Sequence, residues 1–489
     1  DTMLGVALSV ATGVEFTWTN FLSLQWWLTY LLEAYKREPV HVLIEIGCFL
    51  FIAYLLTKNS YEPNKGKDNL TETEKDWVIS QWEPKPLCPA EEEDYKQPVV
   101  SSGTGRTVVV DGEEVVNFSA FNFLGLGNSQ KVKDRAQECI EKYGVGSCGP
   151  RGFYGSIDVH LNVENAVAKF LGAEEAILYS DSLACVSSVI PAFCKSGDLI
   201  VCDDGVHYGV QQGLKLSKSN ILYFKHNDIE DLERVLQARR ERDISQGGTP
   251  LQRRFIVVEG VYRNYGDLAP LFLIAKLKKK FKYRLLVDDS QGFGVLGETG
   301  KGTWEAANLR LEDVDVLCAA LDTTLATVGG FCVGPGKVVD HQRLSGAGYV
   351  FSASSPPYTA VAGTVALEIL AEKGTEYRAQ ALKNVKRLHE ALADIPGIHL
   401  DGAVPSCVLH LRLEAERRQS LEVDTELLEG VAAKVREAGY WVVVPEYIEA
   451  ERVVPQPSIR VLVTREHTPK DIDGLTTTLR QELRSVLKC

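Results

Sequence analysis

The 489-residue chain reads as an α/β protein. A large domain is built on a mostly parallel sheet, a smaller α+β domain closes the C-terminus, and an N-terminal transmembrane helix precedes both. Three observations predict this. Between Ala176 and Val333, short apolar strands alternate with amphipathic helical stretches, the pattern of a parallel sheet covered on both faces. After about residue 360 the alternation gives way to a long helix and an α+β pattern. Near the start, Val40–Leu56 forms one long apolar run.

Taken in order, residues 1–35 are apolar and aromatic, with Trp18, Trp26, Trp27 and Tyr30. Trp and Tyr concentrate at membrane–water interfaces, so this segment is expected to lie at one. The run VHVLIEIGCFLFIAYLL over Val40–Leu56 follows Pro39 and stops before Lys58. Its seventeen residues reach the low end of the roughly 17–25 that span a bilayer. His41 and Glu45 sit near one end, where ionisable groups can reach headgroups. Residues 1–57 thus form a membrane-associated region with one span near 40–56. Residues 58–105 are a linker rich in charge, Pro and Gly, with Pro84, Pro86, Pro89 and Pro98. Inside it, Thr71 and Glu74 have capping-box spacing.

The large domain, 106–360, opens with a hairpin. Thr107–Val110 and Val115–Phe118 flank Asp111-Gly112, a strong turn signal. Strands are expected at Ala176–Ser180, Leu199–Cys202, Ile221–Phe224, Phe255–Glu259, Arg284–Asp288, Val316–Ala319 and Gly330–Val333. Helical patterns such as Asp228–Arg242 and Leu271–Phe281 lie between them. The small domain, 361–489, is expected to hold strands Val408–Leu413, Trp441–Val444 and Ser458–Thr464. Its helices are expected at Asp424–Glu437 and Asp471–Leu487.

Composition narrows the function. There are 53 Lys and Arg against 66 Asp and Glu, a net charge of −13. No basic block of five or more occurs, so nucleic acid is not expected as a partner. The eleven cysteines form no CxxC pair, which points to a reducing compartment and away from zinc. The part downstream of the apolar run is therefore expected on the cytosolic side.

Ligand sites on parallel sheets lie at the strands' carboxyl ends, and there the candidate residues fall. Tyr143–Gly155, YGVGSCGPRGFYG, has five glycines in thirteen residues. Glycine allows positive φ and close backbone approach to a ligand or another chain; a tight turn is the other reading. The loop contains Cys148, Gly149 and Tyr154. His207 follows the strand Leu199–Cys202, and read alone it is equally a core or surface histidine. Asp288 ends its strand in DDSQGFGVLG and could hold a pyridinium nitrogen protonated or cap a turn. Arg460 sits on a small-domain strand in PSIRVLVTREHT, and a fixed guanidinium suits bidentate capture of a carboxylate.

Together these motifs resemble the α-oxoamine synthases, fold-type I enzymes dependent on pyridoxal phosphate (PLP). Among them the chain is most similar to the first long-chain-base subunits of serine palmitoyltransferase. The likeness runs from about Phe118 to the C-terminus. It is carried by NFLGL (Asn122–Leu126), YGVGSCGPRGFYGSIDVHL, FKHND, VVEGVY, FGVLGETGKG and RLSGAGYVFSASSPP, which contains Ser352. The resemblance implies that His207 stacks on the cofactor, Asp288 pairs with its pyridine nitrogen, and Arg460 binds a substrate carboxylate. It puts Asn122, Cys148, Gly149, Tyr154 and Ser352 on the substrate and partner side.

The resemblance also marks departures. The family's Schiff-base lysine lies six residues before paired glycines, here Gly329-Gly330, and that position is Thr323. Only a primary amine forms the imine, and the nearest lysines, Lys301 and Lys337, fall outside the turn. Gln291 stands where the family has a histidine, and Ser180-Asp181-Ser182 replaces the step beside the cofactor phosphate. The implied function is therefore that of a lysine-less subunit in a heterodimer, with PLP expected on a lysine-bearing second long-chain-base subunit. The implied reaction condenses L-serine with palmitoyl-CoA to 3-ketodihydrosphingosine. The implied site of action is the endoplasmic reticulum membrane, with membrane lipid and small regulatory membrane subunits as further partners. A non-catalytic anchoring module and a self-sufficient synthase remain alternatives at this stage.

Overall fold

A computed structural model describes residues 32–57, 70–83, 97–248, 250–448 and 451–487. The chain divides into two compact units, Asp1–Lys96 and Gln97–Cys489. The aromatic positions Trp18, Trp26, Trp27 and Tyr30 lie outside the described residues.

In the first unit, the run expected to span a membrane is helical over Pro39–Thr57, 19 residues. Among the described residues, however, no helix is long and apolar enough to cross a membrane. Phe49, Leu50 and Leu56 on this helix are exposed. A second helix, Glu72–Gln81, starts at the capping box the sequence predicts. Glu74 N–H donates to the Thr71 hydroxyl at 3.4 Å, and the Glu74 carboxylate accepts from Thr71 N–H at 2.7 Å.

The second unit begins with the expected hairpin, β1 (Thr107–Val110) and β2 (Glu113–Asn117), paired antiparallel around Asp111-Gly112. Both turn residues have positive φ, as this two-residue turn requires. The hairpin's outer partner comes from near the C-terminus: β12 (Tyr440–Trp441) pairs parallel with β2. The sequence assigns the hairpin to 106–360 and β12 to 361–489, so a sheet crosses that division. The strand expected at Trp441–Val444 is cut to two residues, with a single further bridge from Val443 to Arg460; Pro445 follows at once.

The central sheet contains all seven strands expected between Ala176 and Val333. They are β3 (Glu175–Tyr179), β4 (Leu199–Asp203), β5 (Asn220–Phe224), β6 (Arg254–Glu259), β7 (Arg284–Asp288), β8 (Val316–Ala320) and β9 (Gly330–Gly334). Their order is β3-β9-β8-β7-β6-β4-β5. All neighbours pair parallel except β9, which runs antiparallel to β3 and β8. β4 and β8 are buried along their whole length, as strands covered by helices on both faces must be. Removing a fully buried side chain such as Leu285 would cost about 2–5 kcal/mol.

A third sheet, β10-β11-β13, is antiparallel: β10 (Ile398–Asp401), β11 (Val408–Leu413) and β13 (Ser458–Leu462). The helices Leu421–Glu437 and Pro469–Leu487 accompany it. The strand β10 is absent from the sequence reading; its four residues, with only Ile398 buried, are too short for a clear alternation. The 36-residue helix Pro357–Leu392 packs along the helices Gln130–Tyr143, Asp158–Leu171 and Pro469–Leu487. It starts with Pro at its first position, where the missing N–H costs nothing.

Candidate active site

The carboxyl ends of β4, β6, β7 and β8 open onto one cavity of about 280 Å³, at the lower edge of the ~300–1,000 Å³ usual for small-molecule sites. Its walls include His207, Glu259, Arg263, Asp288, Thr323 and Arg460. Of the positions named from sequence, Ser182, His207, Asp288, Gln291, Thr323 and Arg460 meet here. Asn122, Cys148, Gly149, Tyr154 and Ser352 do not line it.

His207 sits where β4 turns into the helix Tyr208–Ser217 and is that helix's N-cap. Its Nδ1 accepts from Gly209 N–H at 3.0 Å, which leaves the proton on Nε2. Nε2 donates to the Asp288 carboxylate at 2.9 Å. The His207 backbone N–H donates to Glu259 at 2.6 Å. Asp288 ends β7 and also accepts from the Ser290 backbone N–H at 3.0 Å and the Ser290 hydroxyl. Burial raises the Asp288 pKa, but the bonds from His207 and Ser290 outweigh it and hold the carboxyl below its ordinary range. Glu259, at the end of β6, is pushed up to about 7 by burial first and by the Asp288 charge; His207 and its two backbone hydrogen bonds oppose this. Asp289 is likewise pushed up to about 7 by burial.

Thr323 lies in the turn after β8 and donates its hydroxyl to the Ser290 carbonyl at 2.7 Å. Arg460 projects from β13. Its guanidinium lies 4.9 Å from the Phe121 ring centroid and that of Arg263 lies 4.8 Å from the same centroid. Burial, and then the Arg263 charge, push the Arg460 pKa down to about 10. Arg460 Nε and Gln291 Oε1 are buried without a hydrogen-bond partner among the described residues. Sequence reading missed Glu259 and Arg263. Their signal was the strand-end position of VVEGVYR, the same cue that flagged His207 and Asp288.

The residues present do not fit PLP. Among the described residues lining the cavity none is a lysine. The Asp288 carboxylate is already hydrogen-bonded by His207 and Ser290. Helix Ser182–Phe193, which would offer its N-terminus to a phosphate, is capped by Asp181. That carboxylate accepts from Ala184 N–H at 2.6 Å. A carboxylate already occupying the helix terminus repels a dianion there.

A second constellation joins two motif loops. Ser147 donates to the Ser354 carbonyl at 2.9 Å, and Ser354 N–H donates to the Gly149 carbonyl at 2.9 Å. A Cβ on Gly155 would lie 1.8 Å from the Gly149 oxygen, and one on Gly149 would lie 2.8 Å from the Phe153 oxygen. These two glycines therefore serve the loop's own packing. Beneath, Arg151 makes a buried bidentate pair with Glu164 at 2.9 and 3.0 Å, and Glu164 also accepts from Leu178 N–H. Above, Val145, Phe153, Tyr154, Leu344 and Phe351 are exposed, Tyr154 fully so. Cys148 is exposed with φ +58° and Tyr154 has φ +67°. Ser352 shares a hydrogen bond with Ser180 at 3.1 Å. Asn122 pins a turn instead, donating to the Thr104 carbonyl at 3.1 Å and accepting from Gly127 N–H at 3.3 Å.

A mostly parallel seven-stranded sheet with its site at the carboxyl ends defines the class, and the aminotransferase class I and II family model matches residues 113–479. The chain belongs to that family. It is 42% identical over 452 residues to long chain base biosynthesis protein 1b of Oryza sativa subsp. japonica, covering 91% of this chain and 92% of that one. It is 38% identical over 457 residues to serine palmitoyltransferase 1 of Dictyostelium discoideum, covering 90% and 91%. Among solved structures it is similar to SPT with PLP internal aldimine, with a TM-score of 0.72 at 25% identity, covering 80% of this chain and 94% of that one. Sphingomonas wittichii serine palmitoyltransferase gives a TM-score of 0.71 at 25% identity, covering 85% and 97%.

Proposed function

We propose that this chain is the lysine-less subunit of a heteromeric serine palmitoyltransferase. The complex condenses L-serine with palmitoyl-CoA to 3-ketodihydrosphingosine, the first step of sphingolipid synthesis. PLP, the group that activates the amino acid, is held by a lysine-bearing partner subunit. The observation that carries this reading is the His207–Asp288 hydrogen bond in a cavity without lysine, in a chain whose relatives at this similarity bear long-chain-base and serine palmitoyltransferase names.

This chain's part is to build one wall of the shared site. The exposed apolar residues of the 144–155 and 344–355 loops support a face that packs on the partner; exposed apolar clusters of this kind mark interaction surfaces. The buried Arg151–Glu164 pair holds that face rigid. The exposed apolar side chains of Pro39–Thr57 support attachment to the endoplasmic reticulum membrane, with residues 97–489 in the cytosol. Small regulatory membrane subunits are further partners under this reading.

The test is purification of the tagged chain from its source. The expected result is a co-purifying lysine-bearing homologue, with activity on serine and palmitoyl-CoA in the pair and in neither chain alone. Full activity of the partner by itself would reduce this chain to an anchor.

A further inference from the structure

We infer that a basic groove at the amino-terminal end of the central sheet is a docking surface for an anionic lipid bilayer. The groove, about 520 Å³, is lined by Arg240, Arg253, Arg254, Lys280, Lys282 and Arg284. These residues come from three separate segments. Arg240 lies on the helix Ile229–Ser245, Arg253 and Arg254 lie at the start of β6, and Lys280, Lys282 and Arg284 run from the end of the helix Leu271–Phe281 into the start of β7. The fold gathers them, adding Arg240, Arg253 and Arg254 to the basic run KLKKKFKYR of Lys276–Arg284 in this acidic chain.

Nearby carboxylates are already committed. Asp243 is buried and paired with Arg239 at 3.0 Å and Arg254 at 2.6 Å. Glu233 holds Lys280. Asp198 accepts from the backbone N–H groups of Lys195 and Arg253. Glu241 accepts from Gln237. No ion pair among the described residues engages Arg240, Lys282 or Arg284, and all three are exposed.

Beside the cations stands an apolar tip. The turn from the helix Ile229–Ser245 into β6 passes through Gly247 and Gly248, at φ +94° and +125°. Leu251 in this turn is 108% exposed and Ile244 is 66% exposed. Leu251 thus touches almost nothing of its own chain. Cations ringing protruding aliphatic side chains match an anionic bilayer. The charges are drawn to headgroups within a Debye length, and the aliphatic tip enters the acyl boundary. A single-stranded nucleic acid would need exposed aromatic platforms, whereas Phe281 and Tyr283 in the groove wall are buried. Because the remaining surface is acidic overall, this face would orient the domain on such a membrane. It lies at the sheet end opposite the cavity, so docking leaves the candidate site open. The inference does not depend on the catalytic reading.

Hydrogen exchange of the full chain reads the surface directly, in nanodiscs of phosphatidylcholine alone and of phosphatidylcholine with phosphatidylserine as the minor lipid. Peptides covering 244–254 and 280–284 are expected to exchange roughly tenfold more slowly on the anionic discs. High salt and the combined Arg240→Glu, Lys282→Glu, Arg284→Glu substitutions should each abolish that protection without altering exchange in the central sheet. Leu251→Asp, at a fully exposed position, should abolish protection of the turn even if the triple variant folds poorly. Equal exchange on the two discs overturns the inference. So does protection by soluble polyglutamate or RNA as strong as that by phosphatidylserine, which would make the groove a site for an acidic macromolecule.

Discussion

His207 donates its Nε2 proton to Asp288 across 2.9 Å, so the carboxylate at the end of β7 is satisfied from within the chain. The pair sits beside Glu259, whose carboxylate accepts from the backbone N–H of both His207 and Arg263.

Breaking the pair from one side should be costly. His207→Ala leaves Asp288 buried beside Glu259 with only its Ser290 donors, and loss of one partner of a buried pair costs about 3–5 kcal/mol. Replacing both, as in His207→Leu with Asp288→Leu, should recover part of that loss. Denaturant melts of the single and double variants check this. A double variant less stable than the sum of the singles would show that the pair is not an isolated unit.

Stability around this cavity should depend on pH with a defined sign. Glu259 and Asp289 have folded pKa values raised to about 7, so the folded state keeps protons that the unfolded chain releases. Stability therefore falls as pH rises from about 4.5 to about 7, by roughly 3 kcal/mol per group, and then levels off. Asp288 acts oppositely: its lowered folded pKa means stability is lost as pH falls below the ordinary aspartate range. In Glu259→Gln with Asp289→Asn, thermal melts between pH 4.5 and 7.5 should be flatter than in the unsubstituted chain. A slope unchanged by both substitutions would remove these groups from the account.

The glycine-rich loop should separate packing from function. Gly155→Ala places a methyl group against the Gly149 carbonyl, so the loop must rearrange and the chain should lose stability and assembly together. Cys148 is exposed, and Cys148→Trp adds bulk only on the face proposed to meet the partner. The heterodimer should still form with Cys148→Trp, with turnover down on the order of 100-fold from a displaced pocket wall. Co-purification and turnover per assembled dimer distinguish the two. Normal turnover in assembled Cys148→Trp would take the loop out of the site.

The buried Arg151–Glu164 pair should govern the same loop from below. Glu164→Ala strands a guanidinium and frees the Leu178 N–H, which should cost about 3 kcal/mol. Exchange of the 144–155 amides should quicken in this variant before that of β4 or β8. Unchanged loop exchange would show that the pair holds only the sheet.

The central sheet was legible because buried parallel strands must be apolar along their length: each of the seven predicted strands lies within a residue or two of its observed place. His207 and Asp288 were legible as strand-end residues, yet their bond to each other was not, because the pairing depends on how β4 and β7 are brought to neighbouring positions through β6. β10 was hidden by its brevity. The basic groove was hidden in part: the run Lys276–Arg284 is basic in sequence, but Arg240 and Arg253 join it only through the fold. For the glycines at 149 and 155 the sequence left open a visitor or a tight turn, and the close approach they allow is of the loop to itself. The apolar run at 40–56 was legible as a helix.

The most direct test of the account is borohydride reduction of the assembled enzyme loaded with PLP, followed by peptide mapping of both subunits. The account predicts one phosphopyridoxyl adduct per heterodimer, on a lysine of the partner, and none on this chain. A single lysine of this chain labelled at high occupancy would contradict it.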